Sequence, residues 1–465
     1  MAPDQTTAAV MPRLPYSIFM KSFLLALLGL GGASLTAQAQ WVNQPLSFAD
    51  PASLAVHVQP VSAGTVWIVS DNFDVYAPPQ LARTTDGGQT WAISNLPVRT
   101  SQKEYATGLS AVSPSLAWVV TVPADSTGSR IFRTTNGGQN WTVQGRGTTF
   151  TNPASYATFV HFFSATEGVV AGQPLPGSTS IELYRTADGG QSWAAVALPP
   201  IVPTENIVGQ PTTYANCIWF MTDEGRVYRS ADRGQTWAVS ALPVNVEGTG
   251  LAFSDVQHGL LSVLNEGSTA HALFRTSDGG QTWAQVPYSG PLHGLGLAAL
   301  PGSGMYVSTG GDLGNGDQGS SYSNDQGRTW VAIESTINHL FPRFLSASIG
   351  WSGSFRVAGT RLAGNGVYNI ASNIILGSRA ETATRAGWQV APNPAAGGRT
   401  TLQAPQAFGA AAQVRVRDAV GRVVQQHRWN GGAPLALDLS RQGAGLYVVE
   451  VAGPAGSTYQ KVQVR

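Results

Sequence analysis

Short apolar stretches separated by clusters of Gly, Ser, Thr and Asp run through most of the chain. Leu109–Thr121 reads as an inner strand, a turn and a second strand, leading to a third at Ile131–Thr135; His161–Gly172 leads in the same way to Leu183–Thr186. Alternating segments this short, broken this regularly by turn residues, predict strands and hairpins rather than helices. Units of this kind end in one nonapeptide, which occurs six times. It reads RTTDGGQTW at Arg83–Trp91, RTTNGGQNW at Arg133–Trp141 and RTADGGQSW at Arg185–Trp193, then RSADRGQTW at Arg229–Trp237, RTSDGGQTW at Arg275–Trp283 and YSNDQGRTW at Tyr322–Trp330. The closing tryptophans lie 50, 52, 44, 46 and 47 residues apart, the length of one four-stranded propeller blade.

The nonapeptides resemble the Asp-box (S/T-x-D-x-G-x-T-W), or BNR repeat, of sialidase-like propellers, over roughly residues 41–372. The second copy departs at Asn136 and Asn140, and the sixth carries Gln326 and Arg328 at variable positions. Asp86, Asp188, Asp232, Asp278 and Asp325, with Asn136 in their place once, fall in tight hairpins where a side-chain oxygen can accept backbone N–H bonds. Trp91, Trp141, Trp193, Trp237, Trp283 and Trp330 offer apolar plates to neighbouring strands. Identical sites spread around a ring cannot serve one active centre, so the boxes are expected to be structural staples.

A seventh unit follows the sixth box, Phe344–Ser354 and then Gly366–Ile370, without a box or an outer strand of its own. Trp41–Leu46 resembles the strands that follow the boxes and is expected to complete it, which would close the ring and remove exposed sheet edges. Six blades with an irregular tail is the alternative. Beyond a linker at 376–386 the pattern changes to alternating apolar segments and Gly turns: Val414–Val424, Leu435–Ser440, Gly443–Val451 and Lys461–Arg465. They predict a small sandwich of about seven strands. The fold class is therefore all-β: a seven-bladed β-propeller over residues 40–375 followed by a small C-terminal Ig-like β-sandwich over 387–465.

The last 78 residues closely resemble the type A C-terminal sorting domain of the type IX secretion system. Pro392-Asn393-Pro394, a strand ending Asp418-Ala419-Val420-Gly421-Arg422, Gly445-Leu446-Tyr447 and a basic terminal strand carry the likeness. The resemblance implies export across the outer membrane of a Bacteroidota-type bacterium, with the type IX machinery as partner. It also implies removal of the domain, then release or attachment to the cell surface. At the other end, Lys21, the apolar run Phe23–Leu35 and Ala37-Gln38-Ala39 read as a secretory signal peptide over 1–39, with Met20 a candidate start. The run is too short for a membrane-spanning helix.

Charge and composition narrow the function further. Among 465 residues only 11% are charged and the net charge is +1, so no basic field points to nucleic acid. Residues 41–386 carry 17 basic and 22 acidic side chains, and residues from Gly387 onward carry 8 and 3, marking two modules. Cys217 is the only cysteine, which leaves no intramolecular disulfide and no Cys-based zinc site.

Because each box joins the third and fourth strands of its blade, the loops between strands two and three emerge on the opposite face, with the connections between blades. That face is expected to carry Asp71, Asp74 and Tyr76, then Glu104, Tyr105 and Asp125, with Glu182, Glu205 and Arg226 further on. It also gathers Asp223, Glu224 and Glu266, and later His293, Asp312 and Asp317. Acidic loops with tyrosines suit hydroxyl-rich ligands. The expected function is a secreted or surface-attached, monomeric binding or scaffold protein that recognises an extracellular glycan or protein, without metal or cofactor. The alternative is an extracellular glycoside hydrolase of the xyloglucanase type, which needs two opposed carboxylates about 5–9.5 Å apart. A sialidase is disfavoured, because five of the arginines open boxes on the wrong face and the early Phe-Arg-Ile-Pro segment is missing. The histidines are scattered without ligand spacing, and Asp312–Asp317 is only a faint likeness of a calcium loop that lacks its longer ligand series.

Overall fold

The computed structural model describes residues 41–464 apart from 73–75, 100, 102, 125–127, 243–246, 265–270, 360, 371–388, 404–406, 419–421, 432 and 454–455. The signal peptide, the linker, Asp74, Asp125, Glu266 and Gly421 lie outside the described residues. The chain divides into two compact units between Ala371 and Ser372.

The described residues of the first unit form seven four-stranded antiparallel sheets. Blade 1 runs Leu54–Pro60, Val66–Asp71, Gln80–Thr84 and Ala92–Asn95, from inner to outer strand. Blades 2 to 6 repeat this order, with inner strands at Glu104–Ala111, Ala157–Phe162, Ile207–Tyr214, Glu247–Phe253 and Gly296–Leu300. Second strands such as Val66–Asp71, Ala117–Pro123, Cys217–Thr222 and Met305–Gly310 are buried at every residue. A middle strand has a neighbouring blade on each face, so its sequence is continuously apolar or small rather than alternating. Outer strands such as Ala92–Asn95 face solvent and are mostly exposed.

Blade 7 is assembled from both ends of the unit: His339–Ser346, Ile349–Ala358 and Arg361–Ile370 are completed by Trp41–Gln44. The seam is antiparallel, with Trp41 opposite Ile370 and Gln44 opposite Val367. Trp41 is buried, donates its indole N–H to Ser320 Oγ of blade 6 at 3.0 Å, and packs its ring 4.7 Å from that of His339.

Each box closes on itself. In blade 1, Asp86 Oδ1 accepts from Thr84 Oγ1 at 2.7 Å and from Thr90 N at 2.9 Å, while Thr84 Oγ1 accepts from Gly88 N at 2.9 Å. The same bonds recur at Asp188, Asp232, Asp278 and Asp325, and Asn136 accepts from Thr134 and Asn140 N in blade 2. The Thr90 and Ser192 hydroxyl and amide groups hold the Asp86 and Asp188 carboxyls down at about 2.

Neighbouring blades are also bonded to one another, in part through the boxes, which the sequence pattern does not reveal. Trp67, Trp118 and Trp219, each on a second strand, donate to Ser113 O, Gly189 O and Gly279 O of the next blade at 3.0, 3.2 and 2.8 Å. Box arginines reach across too, with Arg185 Nε on Arg233 O at 3.2 Å and Arg275 Nη1 on Gln326 Oε1 at 3.0 Å. At the seam, Gly88 has φ +96°, and a Cβ there would lie 2.8 Å from the Trp351 ring and 2.9 Å from Gln44 Oε1.

The second unit is a two-sheet sandwich. Gln389–Ala391, Arg399–Gln403 and Leu435–Asp438 form one sheet; Ala407–Arg417, Val423–Gly431, Gly445–Gly453 and Gly456–Val464 form the other. One core runs between them, including Leu402 and Leu437 from the first sheet and Val414, Trp429, Val449 and Val462 from the second. Asn393 Oδ1 accepts from Gln463 N at 2.9 Å, tying the segment between Pro392 and Pro394 to the last strand. Tyr447 donates its hydroxyl to Gly443 O at 2.7 Å, two residues ahead of Gly445.

Candidate ligand-binding face

Where blades 1, 2 and 3 meet on the face opposite the boxes, the structure gathers four groups. Asp71 ends the second strand of blade 1 and is 9% exposed. Its Oδ1 accepts from Asn72 N at 2.7 Å. Burial raises its carboxyl from 3.8 to about 7, against the opposing pull of the Asn72 bond. Tyr76, from the loop that follows, meets Tyr105 at the start of blade 2 edge-on, with centroids 5.4 Å apart and planes at 83°. Burial pushes up both phenols and that of Tyr156, the last to about 12, and the Asp71 charge adds to each rise. Tyr156, just ahead of the inner strand of blade 3, belongs to this patch and was not among the expected residues. The only sequence signal for it was a tyrosine immediately before an inner strand.

Glu104 corrects an expectation. It stands at the right end of its blade but points inward, fully buried. Its carboxylate takes Arg130 Nε at 2.8 Å and Arg99 N at 2.9 Å, with Arg130 Nη2 and the Thr121 hydroxyl also in contact. Burial alone would raise its pKa; Arg130, Arg99 N and Thr121 outweigh that and hold it below the usual carboxylate range. Glu205 repeats the device in blade 4, buried, with Arg226 Nη1 at 2.6 Å, Thr222 Oγ1 at 2.7 Å and Val202 N at 2.8 Å. An acid near the inner-strand start thus bridges the second and third strands of its own blade. Both glutamates are internal ties rather than ligand groups.

The other expected acids also have partners. Asp223 accepts from Asn206 N at 2.7 Å and Asn206 Nδ2 at 3.1 Å, and Glu224 beside it accepts from Thr204 at 3.3 Å. Asp317 bonds His293 Nδ1 at 2.8 Å and Gly294 N at 2.9 Å. Asp312 accepts from Gly314 N at 2.8 Å and Gly316 N at 2.9 Å, and these amides, Gly316 foremost, depress its pKa. The 312–317 segment is thus a loop tied by its own backbone. Among the described residues no group of three or more His, Cys, Asp or Glu side chains could hold a metal ion.

Four-stranded sheets arranged as successive blades, six of them with a self-bonded Asp or Asn hairpin between the third and fourth strands, define an Asp-box β-propeller. The chain thus joins a propeller with BNR-type repeats to a C-terminal segment that matches a secretion sorting domain. Residues 118–242 match the family of the photosynthesis system II assembly factor YCF48, and residues 389–465 match the secretion system C-terminal sorting domain. Among solved structures, YCF48 from Cyanidioschyzon merolae shares the fold at 16% identity and a TM-score of 0.51, covering 71% of this chain and 98% of its own. A structure of YCF48 bound to D1 peptide is 17% identical, with a TM-score of 0.49 and coverage of 72% and 97%. The Hadza microbial sialidase Hz136 is 15% identical, with a TM-score of 0.38 and coverage of 69% and 65%. No curated protein matches the chain. The sorting domain assigns the protein to type IX export, to the cell surface or the medium. Among the described residues no helix is long and apolar enough to cross a membrane.

Proposed function

We propose that the propeller is an extracellular binding module that recognises a glycan or a protein through the face opposite the boxes, centred on Asp71, Tyr76, Tyr105 and Tyr156. The supporting observation is a carboxyl group held near neutrality among three tyrosines, whereas Glu104, Glu205, Asp223, Asp312 and Asp317 are engaged by backbone or by basic partners; Glu182, also raised by burial, accepts from the Tyr184 hydroxyl. Aromatic faces supply apolar contact to a sugar ring or a side chain, and a protonated carboxyl both donates and accepts.

One observation favours the glycosidase reading: a carboxyl titrating near 7 is poised as a general acid. The adjoining blade's candidate for a second carboxylate, Glu104, is held in an ion pair with Arg130, which supports binding over hydrolysis. The test takes the full chain to a polysaccharide panel and reads both bound ligand and new reducing ends. Binding without release, weakened tenfold or more in Tyr105→Ala, is the expected result. Release that disappears in Asp71→Asn would replace the binding module with an enzyme, and no binding to any glycan would shift the ligand class to protein.

A further inference from the structure

The inner strands of blades 1, 2, 4 and 7 meet only on the propeller axis, and there they enclose a small cavity of about 30 Å³. His57 and Gln59 line it from blade 1, Leu109 from blade 2, Gln210 from blade 4, and Phe341 and Arg343 from blade 7. Arg343 is the one charged group in that lining. Among the described residues its side chain makes no ion pair and no hydrogen bond, and the surrounding protein pulls its guanidinium pKa down by desolvation alone.

The imidazoles nearby do not offset its charge. His57 and His161 are both lowered to about 4 by burial, with the Arg343 charge pressing the same way, so both are neutral. His57 Nε2 is engaged with Ala106 O at 3.4 Å. Arg343 is partly buried; a guanidinium keeps its proton at any working pH, and a charge partly withdrawn from water without a counter-charge is disfavoured. The channel therefore carries a fixed positive charge beside a small open volume, with further N–H donors on Gln210 and on Gln59, which gives one amide N–H to Pro60 O at 3.4 Å. That volume is room for one or two waters, or equally for one halide.

We propose that the axial channel binds a single halide-sized monovalent anion, held by Arg343 with the Gln59 and Gln210 amides. The site is separate from the Asp71 face and does not depend on what that face binds. An anion there neutralises the Arg343 charge where the inner strands converge, and so stabilises ring closure.

The test follows thermal unfolding of the full chain while sodium chloride replaces sodium gluconate at constant ionic strength, alongside a crystal soaked in sodium bromide. Wild type should gain a few degrees, saturably, in chloride, with an anomalous bromide peak within hydrogen-bonding distance of the Arg343 guanidinium. Arg343→Gln should lose the chloride response while matching or exceeding wild type in gluconate, and Arg343→Lys should keep a weakened response. Equal midpoints in chloride and gluconate for wild type would overturn the proposal. So would a chloride response retained in Arg343→Gln, or a channel that holds only water in the bromide crystal. Should Arg343→Gln fail to fold, the wild-type titration and the bromide peak decide alone.

Discussion

Asp71→Asn isolates the cost of keeping a carboxyl group in the tyrosine patch. The group is 9% exposed, and its pKa rises from 3.8 to about 7. A raised pKa means that the folded protein holds this proton more tightly than the unfolded chain does. Its effect on stability is therefore nil below about pH 4, turns increasingly unfavourable as pH rises towards 7, and is constant above. A rise of about three pH units at about 1.4 kcal/mol each makes the full penalty roughly 4 kcal/mol at pH 8, of which about 1.5–2 kcal/mol is already present at pH 5. Asparagine is nearly isosteric, retains a carbonyl to accept from Asn72 N, and never charges. Urea unfolding of wild type and Asp71→Asn, followed by tryptophan fluorescence at pH 5 and pH 8, reads the difference directly. The variant's advantage should grow by about 2–3 kcal/mol between the two pH values. An advantage that is constant with pH, or a variant less stable at pH 8, would refute the reasoning, because it would mean that Asp71 is charged at little cost. The same variant should bind ligand less well, as expected where stability has been given up for a working site.

Glu104→Ala should destabilise the propeller by about 3–5 kcal/mol in the same assay, because it strands Arg130 in a buried position. The lowered pKa of Glu104 means that its contribution is present at neutral pH and is lost as pH falls through and below the ordinary carboxylate range. Gly88→Ala should cost about 1–3 kcal/mol by thermal denaturation, since a side chain at φ +96° meets Trp351 and Gln44 across the closing seam. Asp278→Asn should cost less than Asp278→Ala, because Asn136 makes two of the corresponding bonds in blade 2 and only the one from the Thr282 hydroxyl is lost, whereas Asp278→Ala should expose its hairpin to limited proteolysis. Tyr105→Ala should reduce ligand binding while leaving the circular dichroism spectrum of the sheets unchanged.

Much of the architecture was legible because it is built from local bonds. An Asp-box is closed within a few residues, from Thr84 to Thr90 in blade 1, so its sequence states its geometry wherever it stands. The continuous apolar runs of the second strands follow from burial on both faces, and they too can be read one blade at a time. Sequence alone therefore determined the repeat, its strand order, the N-terminal strand that completes the last blade, and the C-terminal domain that directs export. What the ring brings together could not be read this way. Trp41 meets Ser320 across 279 residues, and Glu104 takes Arg130 across 26. Glu104 looked like a loop acid because strand ends show position but not inward direction, and Tyr156 and Arg343 carry no motif at all. A patch shared by three blades, and a cation facing the axis, exist only once the sheets are arranged around a common centre. Tertiary structure decided them because desolvation and pairing depend on what arrives from elsewhere in the chain.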